Sequence, residues 1–132
     1  MSTQTELVIG VDFLTLPVSD LEASARFYGD VLGLERSAVW QREGQPALGM
    51  EFETGTVTIA LIDPKAIGQE PSPHRFPIAL RVPDVQAARE QLEAQGVSFF
   101  GDTIDTGVCH MTHFADPDGN VLMLHRRYAP RT

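Results

Sequence analysis

The chain has 132 residues and a mass of 14.5 kDa, the size of one domain and too small for two full ones. Hydrophobic residues make up 42% and charged residues 21%, ordinary globular usage that excludes wholesale disorder. A formal net charge of −8 repels phosphate backbones and anionic lipid, which argues against nucleic acid and membrane surfaces as partners.

The single Cys109 cannot close an internal disulfide, and no apolar run approaches a membrane span. Residues 1–12 lack the basic start and apolar core of a signal peptide, so the cytoplasm is the expected location. The first predicted element is a strand at 13–18, FLTLPV, whose Leu14, Leu16 and Val18 form an apolar face of period two. Ser19 or Asp20 then supplies an oxygen to cap a helix start. Leu21, Ala25, Tyr28 and Leu32 follow at helical spacing, and Gly33 stands where a helix end takes a left-handed residue. Strands are predicted over about 36–42, 47–54 and 56–62. Residues 63–76, DPKAIGQEPSPHRF, hold three of the nine prolines and read as an extended linker.

The second half repeats the first at an offset of 64. Leu14 matches Ile78, Leu16 matches Leu80, Val18 matches Val82, Asp20 matches Asp84 and Ala23 matches Ala87. Ile78, Leu80 and Val82 again make a period-two face, Asp84 caps, and Val85, Ala88 and Leu92 run at helical spacing to Gly96. Strands are predicted over about 98–101, 108–115 and 120–127. Gly55 and Gly119 also differ by 64, and Asp116-Pro117-Asp118-Gly119-Asn120 is a strong turn signal. Each half therefore reads β-α-β-β-β. The predicted class is α+β, a single domain over 1–132 with module one at about 10–62, the linker at 63–76 and module two at about 77–128.

The paired modules, the VSDLEASARFYGDVLGLE opening and the FADPDGNVLML ending resemble the vicinal oxygen chelate superfamily. That family includes glyoxalase I, extradiol dioxygenases, and fosfomycin and bleomycin resistance proteins. The resemblance covers about residues 10–128 and implies a cupped mixed sheet with the ligand in the cup, commonly in a homodimer. It also implies where metal ligands would stand. The first-strand position falls on Phe13, its second-module counterpart on Pro77, and the last-strand position on Met123. The first module's own last-strand position falls on Ile59, or on Ala60 if the register slips by one. None of these supplies the carboxylate, imidazole or thiolate that a hard or borderline ion needs, and the Met123 thioether suits only soft metals.

Cys109-His110-Met111-Thr112-His113 is the other cluster with donors. In a strand His110 and His113 point to opposite sides. Cys109 and His113 share a side but lie roughly 13 Å apart at 3.3 Å per residue, too far for one ion. No metal site and no cofactor are expected.

Alternation assigns the cup-facing residues. With the apolar positions packed under the helices, Phe13, Thr15 and Pro17 face the cup from the first strand, and Pro77, Ala79 and Arg81 from its repeat. On the final strand Val121, Met123 and His125 turn inward, and on the strand before it Cys109, Met111 and His113. A hairpin register with His113 opposite Met123 and Met111 opposite His125 respects both faces. The expected ligand-binding set is Phe13, Thr15, Arg81, Met111, His113, Met123 and His125, an apolar wall with few polar points. Arg81 suits an anionic ligand group, or else pairs with Glu51 or Glu53. His113 and His125 are the candidate acid–base pair, and in fosfomycin-resistance relatives the position of His113 contacts ligand. Arg81 and His113 are expected to reach the ligand from different modules. His110 is expected to face away and His74 to lie on the linker. Trp40 reads either as a stacking wall or as an anchor between subunits, and Cys109 as a small buried hydrophobe.

The functional expectation is a metal-independent small-molecule binder resembling antibiotic-sequestering proteins, in a homodimer. The alternative is a lyase, isomerase or dioxygenase-type enzyme of the same superfamily.

Overall fold

A computed structural model describes residues 7–131. Strand β1 (Phe13–Pro17) leads through Asp20, whose carboxylate accepts the Ala23 N–H, into helix α1 (Leu21–Ala25). Strands β2 (Glu35–Trp40), β3 (Gly49–Glu53) and β4 (Thr58–Ile62) complete the first module. A short 3-10 turn (Pro64–Ile67) opens the linker. The second module is β5 (Ile78–Arg81), α2 (Val85–Ala94), β6 (Phe99–Asp105), β7 (Cys109–Ala115) and β8 (Val121–Arg127). Asp84 caps α2 as Asp20 caps α1, with its carboxylate on the Ala87 N–H. Gly33 and Gly96 follow the helices with φ of 75° and 91°, the left-handed conformation expected of both.

Each module makes one mixed four-stranded sheet, in the orders β1-β4-β3-β2 and β5-β8-β7-β6. The first strand of each pairs parallel with the last, and the remaining pairs are antiparallel. The helix connection makes the parallel pairing reachable, since parallel neighbours need a long crossover.

Three expectations are revised. The first helix does not run as one α-helix to Leu32: after one turn it widens into a π-helix (Arg26–Val31). Strand β6 extends to Asp105 instead of ending near 101, because a bulge between Phe100 and Ile104 absorbs residues that break the alternation. Leu14, expected to pack fully, remains 39% exposed.

The two modules share one core. Leu16, Val18, Phe52, Ile59 and Leu61 of the first cluster with Val85, Leu92, Phe114, Leu122 and Leu124 of the second. Phe27 of the π-helix packs its ring 6.3 Å from that of Phe114 on β7. At the centre, the fully buried Tyr28 donates its hydroxyl to Asp116 Oδ2 at 2.7 Å. Burial first, then the Asp116 carboxylate, push the Tyr28 phenol far above its usual range, so it stays a donor. Asn120 Nδ2 donates to Asp116 Oδ2 and to the Pro17 carbonyl, both at 2.8 Å. Asp116 Oδ1 accepts the N–H groups of Asp118 and Asn120 at 2.9 Å. Asn120 Oδ1 accepts the His74 N–H at 2.7 Å, and Val121 N–H returns to the His74 carbonyl, fixing the far end of the linker.

Removing a partner from a buried polar group costs about 1–3 kcal/mol. Tyr28→Phe is therefore expected to destabilise the fold by about that much. Asn120→Ala, which strips three of these bonds, is expected to cost more. Urea unfolding of both variants checks the ranking.

Candidate functional site

Because side chains alternate along a strand, each sheet turns one face to the shared core and the other away from it. The outward faces carry the residues picked out above. On the second sheet the paired registers align them in two rows. One runs Arg81, His125, Met111 and Ile104 across β5, β8, β7 and β6. The other runs Ala79, Met123, His113 and Phe100. His113 opposes Met123 and Met111 opposes His125, the register expected from the apolar pattern. Four of the candidate residues thus form a compact patch on β7 and β8. The side chains of His113 and His125 make no hydrogen bond within the described residues, so both imidazoles are available to a ligand. Phe100 and Ile104 lie outside the expected set. They are 55% and 46% exposed, and the bulge between them hid their common face from simple alternation.

The first sheet presents Phe13 and Thr15 on β1 beside Thr58 and Ala60 on β4. Phe13 is 43% exposed and meets Trp40 edge to face, with ring centroids 5.5 Å apart. The indole N–H of Trp40 donates to Glu51 Oε2. Glu53 accepts from the hydroxyls of Ser37 and Thr58. Those two bonds, Ser37 first, hold the Glu53 carboxyl below its ordinary range. Both carboxylates are therefore engaged within their own sheet. Arg81, for which they were the alternative partners, makes no ion pair or side-chain hydrogen bond within the described residues.

Arg81 also corrects the expected cup. It belongs with His113 to the second module, on the edge strand β5, and does not reach toward His113 from another module. It lines a cavity of about 580 Å3 between the modules, and no other residue of the expected ligand set does. The register keeps Arg81 in the outward row beside His125, at the edge that borders this cavity, while the other six lie farther onto the outward faces, Phe13 and Thr15 on one sheet and Met111, His113, Met123 and His125 on the other.

His110 faces away from this surface, as expected. Its Nε2 lies 3.4 Å from Asp105 Oδ2, and its ring centroid is 4.9 Å from that of Tyr128. Cys109 is buried, with its Sγ 3.1 Å from the Thr106 hydroxyl.

The metal that many proteins of this architecture carry can be tested against the donors present. Phe13 stands beside Thr58, and Met123 stands between Ala79 and His113. Pro77 precedes β5. In the first module the outward residue is Ala60, whereas Ile59 is buried in the shared core. Hydrocarbon and thioether groups at all these positions do not fit a hard or borderline divalent ion. Among the described residues, no three His, Cys, Asp or Glu side chains are grouped to hold one.

Comparison with known proteins agrees with this architecture. The chain is 29% identical over 119 residues to the glutathione transferase FosA of Serratia marcescens, covering 87% of this chain and 79% of that protein. Its structure is similar to that of TnmS3, an antibiotic binding protein from Streptomyces sp. CB03234. The TM-score is 0.76 at 27% identity, over 93% of this chain and 99% of the other. A superfamily member from Sphaerobacter thermophilus DSM 20745 superposes with a TM-score of 0.75 at 26% identity, over 91% and 98% of the two chains. A family model matches residues 10–124, and the chain belongs to the Glyoxalase/Bleomycin resistance protein/Dioxygenase superfamily.

Proposed function

We propose that this protein is a metal-independent small-molecule binder that sequesters a largely apolar, ring-containing ligand, in the manner of antibiotic-binding members of its superfamily. One observation carries the reading. The ligand positions of the metal-dependent members hold Phe13, Pro77 and Met123, while the same outward faces expose aromatic and thioether groups instead. Phe13, Trp40 and Phe100 offer rings for stacking, and Met111 and Met123 offer walls that repack around irregular shapes. Thr15, His113 and His125 supply the polar points that orient the ligand, with Arg81 at the rim. The similarity to TnmS3, whose name records antibiotic binding, supports this class. The chain works as one domain, with the cytoplasm as its proposed location; among the described residues no helix is long and apolar enough to cross a membrane.

Each outward face is an open half of a binding surface. Exposed aromatic side chains on both faces favour their burial against a second copy, and a two-fold homodimer is the commonest closed arrangement. In that assembly the ligand lies between sheets. An enzymatic reading rests on one specific feature, the imidazoles of His113 and His125 on adjacent strands, which make no hydrogen bond within the described residues and could hand a proton to or from a ligand.

Elemental analysis is expected to find no stoichiometric divalent ion, and chelator to leave the melting temperature unchanged, because no metal-binding energy is linked to folding. About one Zn, Mn, Ni or Fe per chain would overturn the reading. Light scattering is expected to report a particle of about twice 14.5 kDa at micromolar concentration.

Thermal-shift screening against antibiotics and metabolites is expected to yield stabilising ligands. His113→Ala should weaken such a ligand by roughly tenfold, the loss of one hydrogen bond of about 1.4 kcal/mol. If the variant instead loses turnover of a compound with affinity unchanged, the enzymatic reading takes its place.

A further inference from the structure

The hairpin of β7 and β8 sets two Met-x-His pairs against each other. Met111 and His113 stand on β7, Met123 and His125 on β8, and all four are half-buried on the same outward face. Because the strands run antiparallel, each thioether faces an imidazole: His113 opposes Met123 and Met111 opposes His125. Met50, the one other methionine among the described residues, is buried in the shared core.

Strand geometry brings these four side chains within reach of one point. Residues two apart on a strand are separated by roughly 6.6 Å and directly opposed Cβ atoms by about 5 Å, so each Cβ lies about 4 Å from the centre of the group. The methionine sulfur and the imidazole Nδ1 both lie two bonds beyond Cβ, and a metal–donor bond adds about 2.0–2.3 Å. One ion above the centre can therefore meet two sulfurs and two nitrogens. Neutral thioethers are poor donors to hard ions and are not the thiolates that zinc takes, but with imidazoles they suit Cu(I). Charge points the same way. Arg81 adjoins His125 in its row, and it repels a divalent ion twice as strongly as a monovalent one. His113 and His125 make no hydrogen bond within the described residues, so binding an ion breaks none of theirs.

We propose that Met111, His113, Met123 and His125 form a binding site for a soft monovalent ion, Cu(I). This goes beyond the sequestration of an organic ligand on the same face, and the same donors refuse the divalent ions whose absence is expected above.

The test is a titration of the full-length, metal-free protein with Cu(I), kept reduced by ascorbate without oxygen, in competition with the chromophoric chelator bicinchoninate. One Cu(I) per chain is expected, with saturable shifts at the 13C-labelled methyls of Met111 and Met123 and none at Met50. Ag(I), the redox-inert analogue, should shift the same two methyls in chloride-free buffer, and Zn(II) should shift neither. Met111→Leu and Met123→Leu conserve volume and so retain the fold. Each should weaken Cu(I) binding by roughly tenfold or more, since even an outer partner of a metal ligand is worth about 10–100-fold. Cys109, two residues before Met111 on β7, is the competing soft donor. Cys109→Ala is expected to leave the Cu(I) affinity unchanged. Loss of binding in that variant would assign the ion to the thiolate and overturn the proposal. So would full affinity in either leucine variant, Zn(II) shifting the two methyls, or a Cu(I) titration that leaves them unmoved. If a leucine variant fails to fold, the methyl shifts of the unmodified protein still decide. Ligand screening uses metal-free protein, so failure here leaves the sequestration reading intact.

Discussion

A carboxylate in the middle of a protein must be fully satisfied or it destabilises its surroundings. Asp116, 5% exposed, is satisfied by four donors: the Tyr28 hydroxyl, the Asn120 side-chain amide, and the backbone N–H groups of Asp118 and Asn120. Two of these shape the turn between β7 and β8, one locks Asn120, and one comes from the first module's helix. Turn geometry sets hairpin register, and the register decides which way every residue on β7 and β8 points. The placement of His113 beside Met123 thus follows from how Asp116 is solvated by the protein. The same carboxylate holds the first module against the second through Tyr28, and Asn120 reinforces this at the Pro17 carbonyl.

Much of this was legible in the chain. Period-two alternation named the packed and outward faces, and the offset of 64 between Gly55 and Gly119 exposed the repeat. The Asp-Pro-Asp-Gly-Asn turn was recognisable from residue type, and a hairpin register that respects both faces, with His113 opposite Met123, is the one the strands adopt. What alternation could not show is where it stops. The bulge in β6 shifts the pattern by residues that look like ordinary strand, and so Phe100 and Ile104 were not grouped with Met111 and His113. The π-helix carries Tyr28, whose hydroxyl bonds Asp116 88 positions away, a contact that no local spacing reports. Arg81 was assigned its face correctly, but not its neighbourhood. Its strand lies at a sheet edge, and only tertiary packing shows that this edge borders a cavity between modules.

The two sides of each sheet have been given different chemistry by the choice of side chains alone. Outward positions carry rings, thioethers and imidazoles, while the inner side near β1 and β5 carries branched aliphatics. A single fold supports many activities because such choices are nearly independent of the backbone. Exchanging Phe13, Pro77 and Met123 for oxygen or nitrogen donors would alter the surface without touching the buried network that fixes the strands.

The linker is tied at both ends and free between them. Asp63 caps the 3-10 turn through the Lys65 N–H and is itself held by the Leu48 carbonyl, while His74 is clipped between Asn120 and Val121. Residues 69–73 between these anchors are exposed and outside any helix or strand. The halves are therefore held together by side chains and buried surface, not by the covalent connection. A chain cut within that stretch would keep its fold as a pair of complementing fragments. The same stretch would accept inserted sequence, at a cost that grows only slowly with length.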